Sequence, residues 1–231
     1  MKSYRCIFFD LDHTLWDYET NASSTLVDLY DKYELDHRYA VNQEDFIQSF
    51  KTVNHALWDL YDTGQITRNV IREERFSRVL RQLGIENNSL AYQLSTDYIL
   101  QSPRKSALLP NVIETIQYLY KKYPLYIITN GFDDIQETKL NASGIHHYFL
   151  SVISSEKAGH KKPAAEIFNF ALHLSGYQAR ESIMIGDNLL TDISGANNAG
   201  IDCVYYNPGS IPHSAATTYE IRDMGELKGI L

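Results

Sequence analysis

Two aspartates separated by one residue, Asp10 and Asp12, directly follow the first apolar run of the chain. A carboxylate can attack phosphorus and form an acyl phosphate, which divides the hydrolysis of a phosphate ester into two steps. A second carboxyl group beside it can protonate the leaving oxygen and afterwards activate water. We therefore predict Asp10 as a nucleophile and Asp12 as a general acid/base, although aspartates also occur in the plain turns that end strands.

Two further acids, Asp187 and Asp192, follow a later apolar run. Several carboxylates near a phosphate repel it, so the site needs a cation, and Mg²⁺ suits a few carboxylates together with substrate oxygen and water. We predict Asp10, Asp187 and the backbone carbonyl of Asp12 as Mg²⁺ ligands. Asp192 is better suited to orienting a lysine or the metal shell, and the alternative is that it only caps a helix.

A hydroxyl, two backbone amides and a lysine complete the candidate site. Thr129 can donate its hydroxyl to phosphate, and the amides of Asn130 and Gly131 can do the same. Lys162 can neutralise the charge that builds on the transferring oxygens. Its neighbour Lys161 is interpreted as a solvated surface charge, although it can also add to the positive field.

These side chains need a scaffold, and the apolar pattern predicts one. Short runs rich in β-branched and aromatic residues are typical of buried parallel strands, and helical patterns separate the later runs. This alternation indicates a doubly wound, Rossmann-like α/β sheet of about five parallel strands, where ligands bind beyond the carboxyl ends of the strands. The predicted strands are Tyr4–Phe9, Leu125–Thr129, Phe149–Ser154, Ser182–Ile185 and Asp202–Tyr206, and helices are predicted at Ala164–Ser175 and Leu189–Ala199.

The long interval between the first two strands has no convincing strand pattern. Its apolar residues recur at helical spacing, which predicts helices at Thr20–Tyr33 and Gln43–Tyr61 and two more that begin at the caps Thr67 and Ser89. The sequence therefore predicts an all-helical insertion over residues 16–105, within a core formed by residues 1–15 and 106–231.

The composition is that of a globular enzyme, with 44% hydrophobic and 22% charged residues. The net charge of −8 argues against a nucleic-acid polymer as partner, because such binders carry a basic patch. Cys6 and Cys203 are too few for a disulfide framework or a zinc site and are interpreted as buried core residues. The absence of a leader and of an apolar run of about 20 residues leads us to expect a cytoplasmic protein with no membrane partner. We expect it to be a monomer or a homodimer.

Together these motifs resemble the haloacid dehalogenase-like (HAD) hydrolase superfamily. The family's motifs are Asp-x-Asp-x-Thr, an apolar strand ending in Thr-Asn, Lys-Pro opening a helix, and Gly-Asp-x-x-x-x-Asp, and all occur here in the family's order. The resemblance implies a helical cap after the first motif, where the predicted insertion lies. It also implies the roles argued above for Asp10 (nucleophile), Asp12 (acid/base), Thr129 (phosphate), Lys162 (charge neutralisation) and Asp187 (Mg²⁺).

Longer stretches resemble one branch of this superfamily, the nucleoside 5′-monophosphate phosphatases that act on pyrimidine nucleotides, including noncanonical ones. These stretches are 128–132, 155–159, 162–168 and 186–193. The resemblance implies that the small phosphorylated substrate is a mononucleotide. A sugar-phosphate phosphatase or a phosphomutase uses the same core and remains an alternative. A dehalogenase needs neither Asp12 nor Mg²⁺, and a catalytically retired binding protein would not need the intact acids.

Aromatic side chains near the expected hinge and on a predicted cap helix are candidates for contact with a nucleobase. They are Trp16, Tyr18, Trp58 and Tyr61. Stacking on a base is worth ~1–3 kcal/mol, but such residues more often pack inside a cap or hinge. The cap is expected to close over the site and exclude bulk water during phosphoryl transfer.

Overall fold

A computed structural model describes residues 4–231, and the chain divides into two compact units. Of the described residues, one unit contains 4–18 together with Ser106–Leu231, and the other is the insertion Glu19–Lys105. Across the described residues, no helix is long and apolar enough to cross a bilayer. We refer to the two as the sheet unit and the helical unit.

The sheet unit is built on a six-stranded sheet with the order β3-β2-β1-β4-β5-β6, in which every neighbouring pair is parallel. The predicted doubly wound α/β fold is thus confirmed. The sixth strand escapes the sequence pattern because it has three residues and only its last is buried. The strands are β1 (Cys6–Phe9), β2 (Leu125–Thr129), β3 (Phe149–Ser154), β4 (Ser182–Gly186), β5 (Asp202–Tyr206) and β6 (Tyr219–Ile221).

Helices make up most of the remaining regular structure. The helical unit contains α1 (Tyr18–Lys32), α2 (Leu35–Tyr39), α3 (Gln43–Asp62), α4 (Arg68–Gln82) and α5 (Asn88–Gln101). The sheet unit contains α6 (Val112–Tyr120), α7 (Asp133–Ala142), α8 (Ser155–Ala158), α9 (Ala165–Ser175), α10 (Ser194–Asn198) and α11 (Leu227–Ile230). Short 3₁₀ turns lie at Ser102–Arg104, His146–Tyr148, Ala179–Glu181 and Met224–Glu226. A π-helical turn, Leu189–Ile193, precedes α10, so the single helix predicted over Leu189–Ala199 is divided in two.

The two faces of the sheet are covered by separate hydrophobic clusters. Because side chains alternate along a strand, Ile7 and Phe9 of β1 pack in one cluster while Cys6 and Phe8 pack in the other. The first cluster includes residues of α6 and α7, and the second includes residues of α9 and α10. Burial on both faces explains why the strands read as continuous apolar runs. Both cysteines are free and buried, as predicted.

The helical unit has an aromatic core. Phe50 of α3 lies 5.4 Å from Phe76 of α4 and 4.9 Å from Tyr98 of α5, measured between ring centroids. All four rings of this core, which includes Phe46, are buried. Aromatic pairs at these distances stabilise a core beyond the area that they bury, so the amphipathic pattern of α3 and α4 is satisfied within the unit itself.

The predicted start of the last cap helix is wrong. Asn87, and not Ser89, is the N-cap of α5, and its side chain accepts a hydrogen bond from the amide of Leu90. Asparagine caps as well as serine, so the earlier residue takes the position. Thr67 does occupy the N-cap of α4, but its side chain makes no capping hydrogen bond. The five-residue helix α2 has no sequence prediction because it is too short to show a period.

Candidate active site

Three neighbouring strands end in the residues predicted to do chemistry. The strand β1 lies between β2 and β4, and the order of strands along the chain reverses between β1 and β4. Such a switch point opens a crevice at the carboxyl ends of the strands, where α/β sheets bind ligands. Asp10 follows β1, Thr129 ends β2 and Asp187 follows β4, so the sheet itself brings these side chains to one edge.

Lys162 is a buried cation at the centre of this edge. Its Nζ donates to Oδ1 of Asp10 at 2.5 Å, to Oδ1 of Asp192 at 2.6 Å and to the carbonyl oxygen of Ile128 at 3.0 Å. These contacts use all three donors of an ammonium group. Burial works to lower the pKa of Lys162, but the charges of Asp10 and Asp192 outweigh it and hold the pKa above its usual value. Lys162 therefore stays charged.

The side chain of Asn130 fixes the backbone on which Lys162 sits. Its Oδ1 accepts from the amide of Lys162 at 2.8 Å, and its Nδ2 donates to the carbonyl oxygen of Lys162 at 3.0 Å. This reciprocal pair ties the end of β2 to the segment before α9. Sequence reasoning considered only the backbone amide of Asn130 and missed this contact, because it joins positions 32 residues apart.

The predicted phosphate-binding groups lie together after β2. The hydroxyl of Thr129, which is buried, accepts a hydrogen bond from the amide of Gly131 at 2.9 Å. A hydroxyl that accepts can still donate its own proton, so Thr129 keeps the capacity to bind a phosphate oxygen. The phosphate-binding roles of Thr129, Asn130 and Gly131 remain predictions.

Thr14 is a residue of the site that sequence reasoning left without a role. Its hydroxyl donates to Oδ1 of Asp187 at 3.0 Å and accepts from the amide of Asp187 at 3.1 Å. Thr14 is fully buried, so the pair holds the Asp187 carboxyl group in one orientation. Its place in the first motif, two residues after Asp12, is the signal that could have found it.

Asp10, Asp187 and Asp192 form a cluster that can hold a metal ion, with candidate ligand atoms within 4.8 Å of one another. Lys162 alone cannot balance three carboxylates. Burial raises the pKa of Asp10 to about 7 in spite of the Lys162 charge. Burial, and then the charges of Asp10 and Asp192, raise the pKa of Asp187 well above its usual value. A divalent cation with a preference for oxygen ligands fits this donor set and its missing positive charge.

Within this cluster, both oxygens of Asp192 already serve other groups. Its Oδ1 accepts from Lys162, and its Oδ2 accepts from the amide of Asn188 at 3.0 Å. A Cβ atom on Gly186 would lie 2.3 Å from that Oδ2, so only glycine at this position lets Asp192 come so close. This arrangement suits a residue that orients Lys162, which is one of the two roles that the sequence predicts for Asp192.

Asp12 is bound to a lysine that the sequence analysis did not single out. Nζ of Lys139, on α7, lies 2.7 Å from Oδ1 and 2.8 Å from Oδ2 of Asp12. The carboxyl group of Asp12 thus faces Lys139, whereas the predicted metal set uses only its backbone carbonyl. The role of Asp12 as a metal ligand remains a prediction.

The aromatic candidates for contact with a nucleobase differ in burial: one is buried and the other three are partly exposed. Trp16 is fully buried, which favours the packing interpretation for it. Trp58 and Tyr61 are half-buried and form an edge-on ring pair at 5.4 Å within α3. Tyr18 lies 4.8 Å from the ring of His13. The predicted stacking of any of them on a base is still untested.

Comparison with known proteins gives one consistent family. The model of the haloacid dehalogenase-like hydrolases matches residues 7–206. The crystal structure of the HAD-hydrolase YfnB from Bacillus subtilis, bound to magnesium, is 31% identical, covers 99% of each chain and has a TM-score of 0.89. The similarity that the four motifs indicate is thereby confirmed.

Two curated relatives carry names that describe a substrate. Pyrimidine 5′-nucleotidase PynA of Streptococcus pneumoniae is 30% identical over 97% of this chain and 93% of its own. Glyceraldehyde 3-phosphate phosphatase of Methanothermobacter thermautotrophicus is 30% identical over 98% of this chain and 99% of its own. Both similarities extend over the sheet unit and the helical unit alike.

Proposed function

Because the chain belongs to the haloacid dehalogenase-like hydrolase family, as a phosphoric monoester hydrolase, we propose that it cleaves small phosphate monoesters through an aspartyl-phosphate on Asp10 with Mg²⁺ as cofactor. The observation that carries the proposal is the position of Asp10 at the tip of β1. There Lys162 donates to its Oδ1 at 2.5 Å, within a cluster of three carboxylates that this one ammonium cannot balance.

The side chains support a reaction in two steps. In the first, Oδ2 of Asp10 attacks phosphorus, the bond from phosphorus to the ester oxygen breaks, and Asp12 gives its proton to that oxygen. In the second, Asp12 takes a proton from water and the water oxygen attacks phosphorus. The bond between phosphorus and Oδ2 of Asp10 breaks, so that inorganic phosphate leaves and the Asp10 carboxylate is regenerated. Lys162 faces the charge on the transferring oxygens throughout. Bound Mg²⁺ supplies the positive charge that lets an anionic ester approach the carboxylates.

The leading substrates under this proposal are nucleoside 5′-monophosphates. Their support is the similarity to a pyrimidine 5′-nucleotidase over nearly the full length of both chains, together with the motif stretches that resemble the nucleotidase branch. A sugar phosphate is the second candidate, favoured by the equally long similarity to a glyceraldehyde 3-phosphate phosphatase.

The nucleophile is tested by Asp10→Asn, which keeps the shape of the side chain but removes its nucleophilic oxygen. We expect Mg²⁺-dependent release of phosphate from 4-nitrophenyl phosphate to fall by more than about 10³-fold. The same change at the exposed Asp31 of α1 is the matched control and should leave the rate unaltered. Substantial hydrolysis by Asp10→Asn would show that another group attacks phosphorus.

The cofactor and the substrate class are tested together on the wild-type protein. Chelation of divalent ions should stop phosphate release, and added Mg²⁺ should restore it. A panel of nucleoside monophosphates and sugar phosphates, compared by kcat/KM, then ranks the two classes. If sugar phosphates clearly exceed every nucleotide, the nucleotide proposal fails while the phosphatase reaction stands.

A further inference from the structure

Lys139 is a buried lysine to which the two-step reaction assigns no task. It lies on α7, where Gln136, Lys139 and Leu140 form the buried face of the helix. Its side chain is only 6% exposed. Lysine on an amphipathic helix normally faces solvent, and it is almost never buried without a partner. The partner here is Asp12, both of whose carboxylate oxygens accept hydrogen bonds from Lys139.

The ring of Trp16, on the same loop as Asp12, also contacts Lys139. Its ammonium lies 4.6 Å from the centre of the Trp16 ring, within the range of a cation–π contact. The loop is closed by hydrogen bonds from the amides of Leu15 and Trp16 to the carbonyl oxygen of Leu11. The backbone positions that carry the carboxylate and the indole ring are therefore held close to each other.

We propose that Lys139 is a positioning residue that holds the carboxyl group of Asp12 where it can transfer a proton to the leaving oxygen. This inference rests on the proposed function, because it takes Asp12 as the acid/base. Asp12 is half-buried on a loop, and an aspartate there could rotate about its side-chain bonds. Two hydrogen bonds to one buried ammonium remove that freedom. Lys139 acts through Asp12 and not on the phosphoryl group.

Lys139 assists the first step of the reaction, in which the ester bond breaks. The bond between Asp10 and phosphorus forms while the bond from phosphorus to the ester oxygen breaks, and the proton of Asp12 passes to that oxygen. The carboxylate that remains on Asp12 then faces the ammonium of Lys139. Placement matters in such a step, since a misplacement of ~1 Å can cost about 10²-fold in rate.

Esters differ in how much they need this proton. A nitrophenolate is stable without a proton and leaves with little help from a general acid, whereas a methoxyphenolate is less stable and needs more help. A misplaced Asp12 therefore lowers kcat/KM most for esters with poor leaving groups. If Lys139 only stabilised the structure of the site, its loss would lower kcat/KM for all esters alike. The dependence of the loss on the leaving group therefore distinguishes a positioning role from a structural one.

The experiment compares wild type with Lys139→Met on substituted phenyl phosphates of similar size. Methionine keeps the apolar length of the side chain against Trp16 and removes the ammonium. We expect kcat/KM to fall about 30-fold for 4-methoxyphenyl phosphate and less than about threefold for 4-nitrophenyl phosphate. Lys139→Arg keeps a cation at this position and should recover most of the loss.

A matched control and a double variant complete the design. Lys122→Met removes an exposed lysine whose ammonium lies 4.0 Å from the ring of Tyr118, and it should leave every ester unaffected. In an Asp12→Asn background, Lys139→Met should cause no further change in the dependence on the leaving group, because the group that it positions is already gone.

The outcomes separate this inference from the proposed function. Three results would overturn the role of Lys139 and leave the phosphatase reaction intact. They are an equal fall for every ester, no fall at all, or a further change in the leaving-group dependence when Lys139→Met is added to Asp12→Asn. The proposed function would instead fail if the Asp10→Asn variant still hydrolysed 4-nitrophenyl phosphate. If Lys139→Met does not fold, Lys139→Gln, which keeps a neutral donor for Asp12, replaces it with the same expected order of esters.

Discussion

The sheet unit and the helical unit each bury basic side chains, but they surround them with different groups. Lys162 and Lys139 of the sheet unit both lie against carboxylates, at distances between 2.5 Å and 2.8 Å. In the helical unit the guanidinium of Arg75, which is 5% exposed, lies 4.4 Å from the ring of Tyr98 and donates to Oδ1 of Asn54 at 3.1 Å.

This difference predicts which buried cations affect the reaction and which only stabilise the fold. A buried ion pair changes when a proton or a phosphoryl group moves, because the charge on its carboxylate changes. Aromatic faces and a neutral amide hold a cation in one place and have no second charge state. We therefore expect changes to the buried lysines to alter turnover, and a change to the buried arginine to alter stability alone.

The largest effect is expected for Lys162→Met. In the proposed reaction Lys162 is the charged donor to the transferring oxygens, so its loss should lower kcat on an aryl phosphate by about 10²–10³-fold. The variant also leaves Asp10 and Asp192 as buried carboxylates without their cation, which should lower the unfolding free energy by about 3–5 kcal/mol. Denaturant titration and phosphate release measure the two losses separately.

The stability loss of Lys162→Met should also depend on pH in a defined direction. In the folded wild-type protein burial raises the pKa of Asp10 to about 7 although the charge of Lys162 lowers it. Without Lys162 the pKa of Asp10 should be higher still, against ~3.9 for an unfolded aspartate. Between these values the folded state binds more protons than the unfolded state, so stability falls as pH rises. In metal-free buffer the variant should therefore regain stability as pH is lowered from about 8 to about 5. A constant deficit would show that charge is not its cause.

A smaller effect, on stability alone, is expected for Arg75→Met. A desolvated cation–π contact is worth about 2 kcal/mol, and methionine restores part of it as apolar contact. The unfolding free energy should fall by about 1–2 kcal/mol, while kcat on an aryl phosphate stays within about twofold of wild type. A fall in kcat like that of Lys162→Met would show that the buried arginine of the helical unit also affects turnover, contrary to our expectation.

The exposed Arg38 supplies the control for this comparison. Its guanidinium lies 5.7 Å from the ring of Tyr39 on the surface of the helical unit. Arg38→Met removes the same kind of contact where water already solvates the cation, so neither stability nor turnover should change measurably.

The sheet unit can be predicted well from sequence because its local signals agree with its tertiary contacts. Strands buried on both faces are continuous apolar runs, and β2, β3 and β5 have the bounds that those runs predict. The acids follow the strand ends directly, so the parallel topology alone brings Asp10 and Asp187 together.

Contacts between distant positions are what the sequence does not reveal. Lys139 lies 127 positions from Asp12, and Thr14 lies 173 positions from Asp187. A helical pattern can show a lysine on a buried face of α7, but it cannot show which carboxylate meets it. In the helical unit the period predicts helices, and no motif tells a side chain such as Arg75 apart from one that binds a ligand.

The smallest effect concerns an ion pair near the surface of the helical unit. Asp97 of α5 accepts hydrogen bonds from Nζ of Lys32 at 2.5 Å and from the hydroxyl of Tyr33 at 2.8 Å. Burial works to raise the pKa of Asp97, but these two hydrogen bonds and the Lys32 charge outweigh it and hold the pKa below its usual value. A carboxyl group of this kind stabilises the fold above the unfolded pKa of ~3.9, and the contribution is lost as pH falls through the folded value.

Asp97→Asn should therefore lower the unfolding free energy by about 0.2–1 kcal/mol at neutral pH, because Lys32 is largely solvated and the pair is screened. The deficit should persist at about pH 5 and disappear only below about pH 4. The Lys162→Met deficit should already have shrunk at pH 5, because burial raises the pKa of Asp10 to about 7 even with Lys162 present, and loss of Lys162 raises it further. Unfolding curves at both pH values distinguish the two carboxylates, because the pKa of Asp97 lies below the usual value and that of Asp10 lies above it. If the stability deficits of Asp97→Asn and Lys162→Met disappeared over the same pH range, the carboxylates of the two units would not differ in their electrostatics.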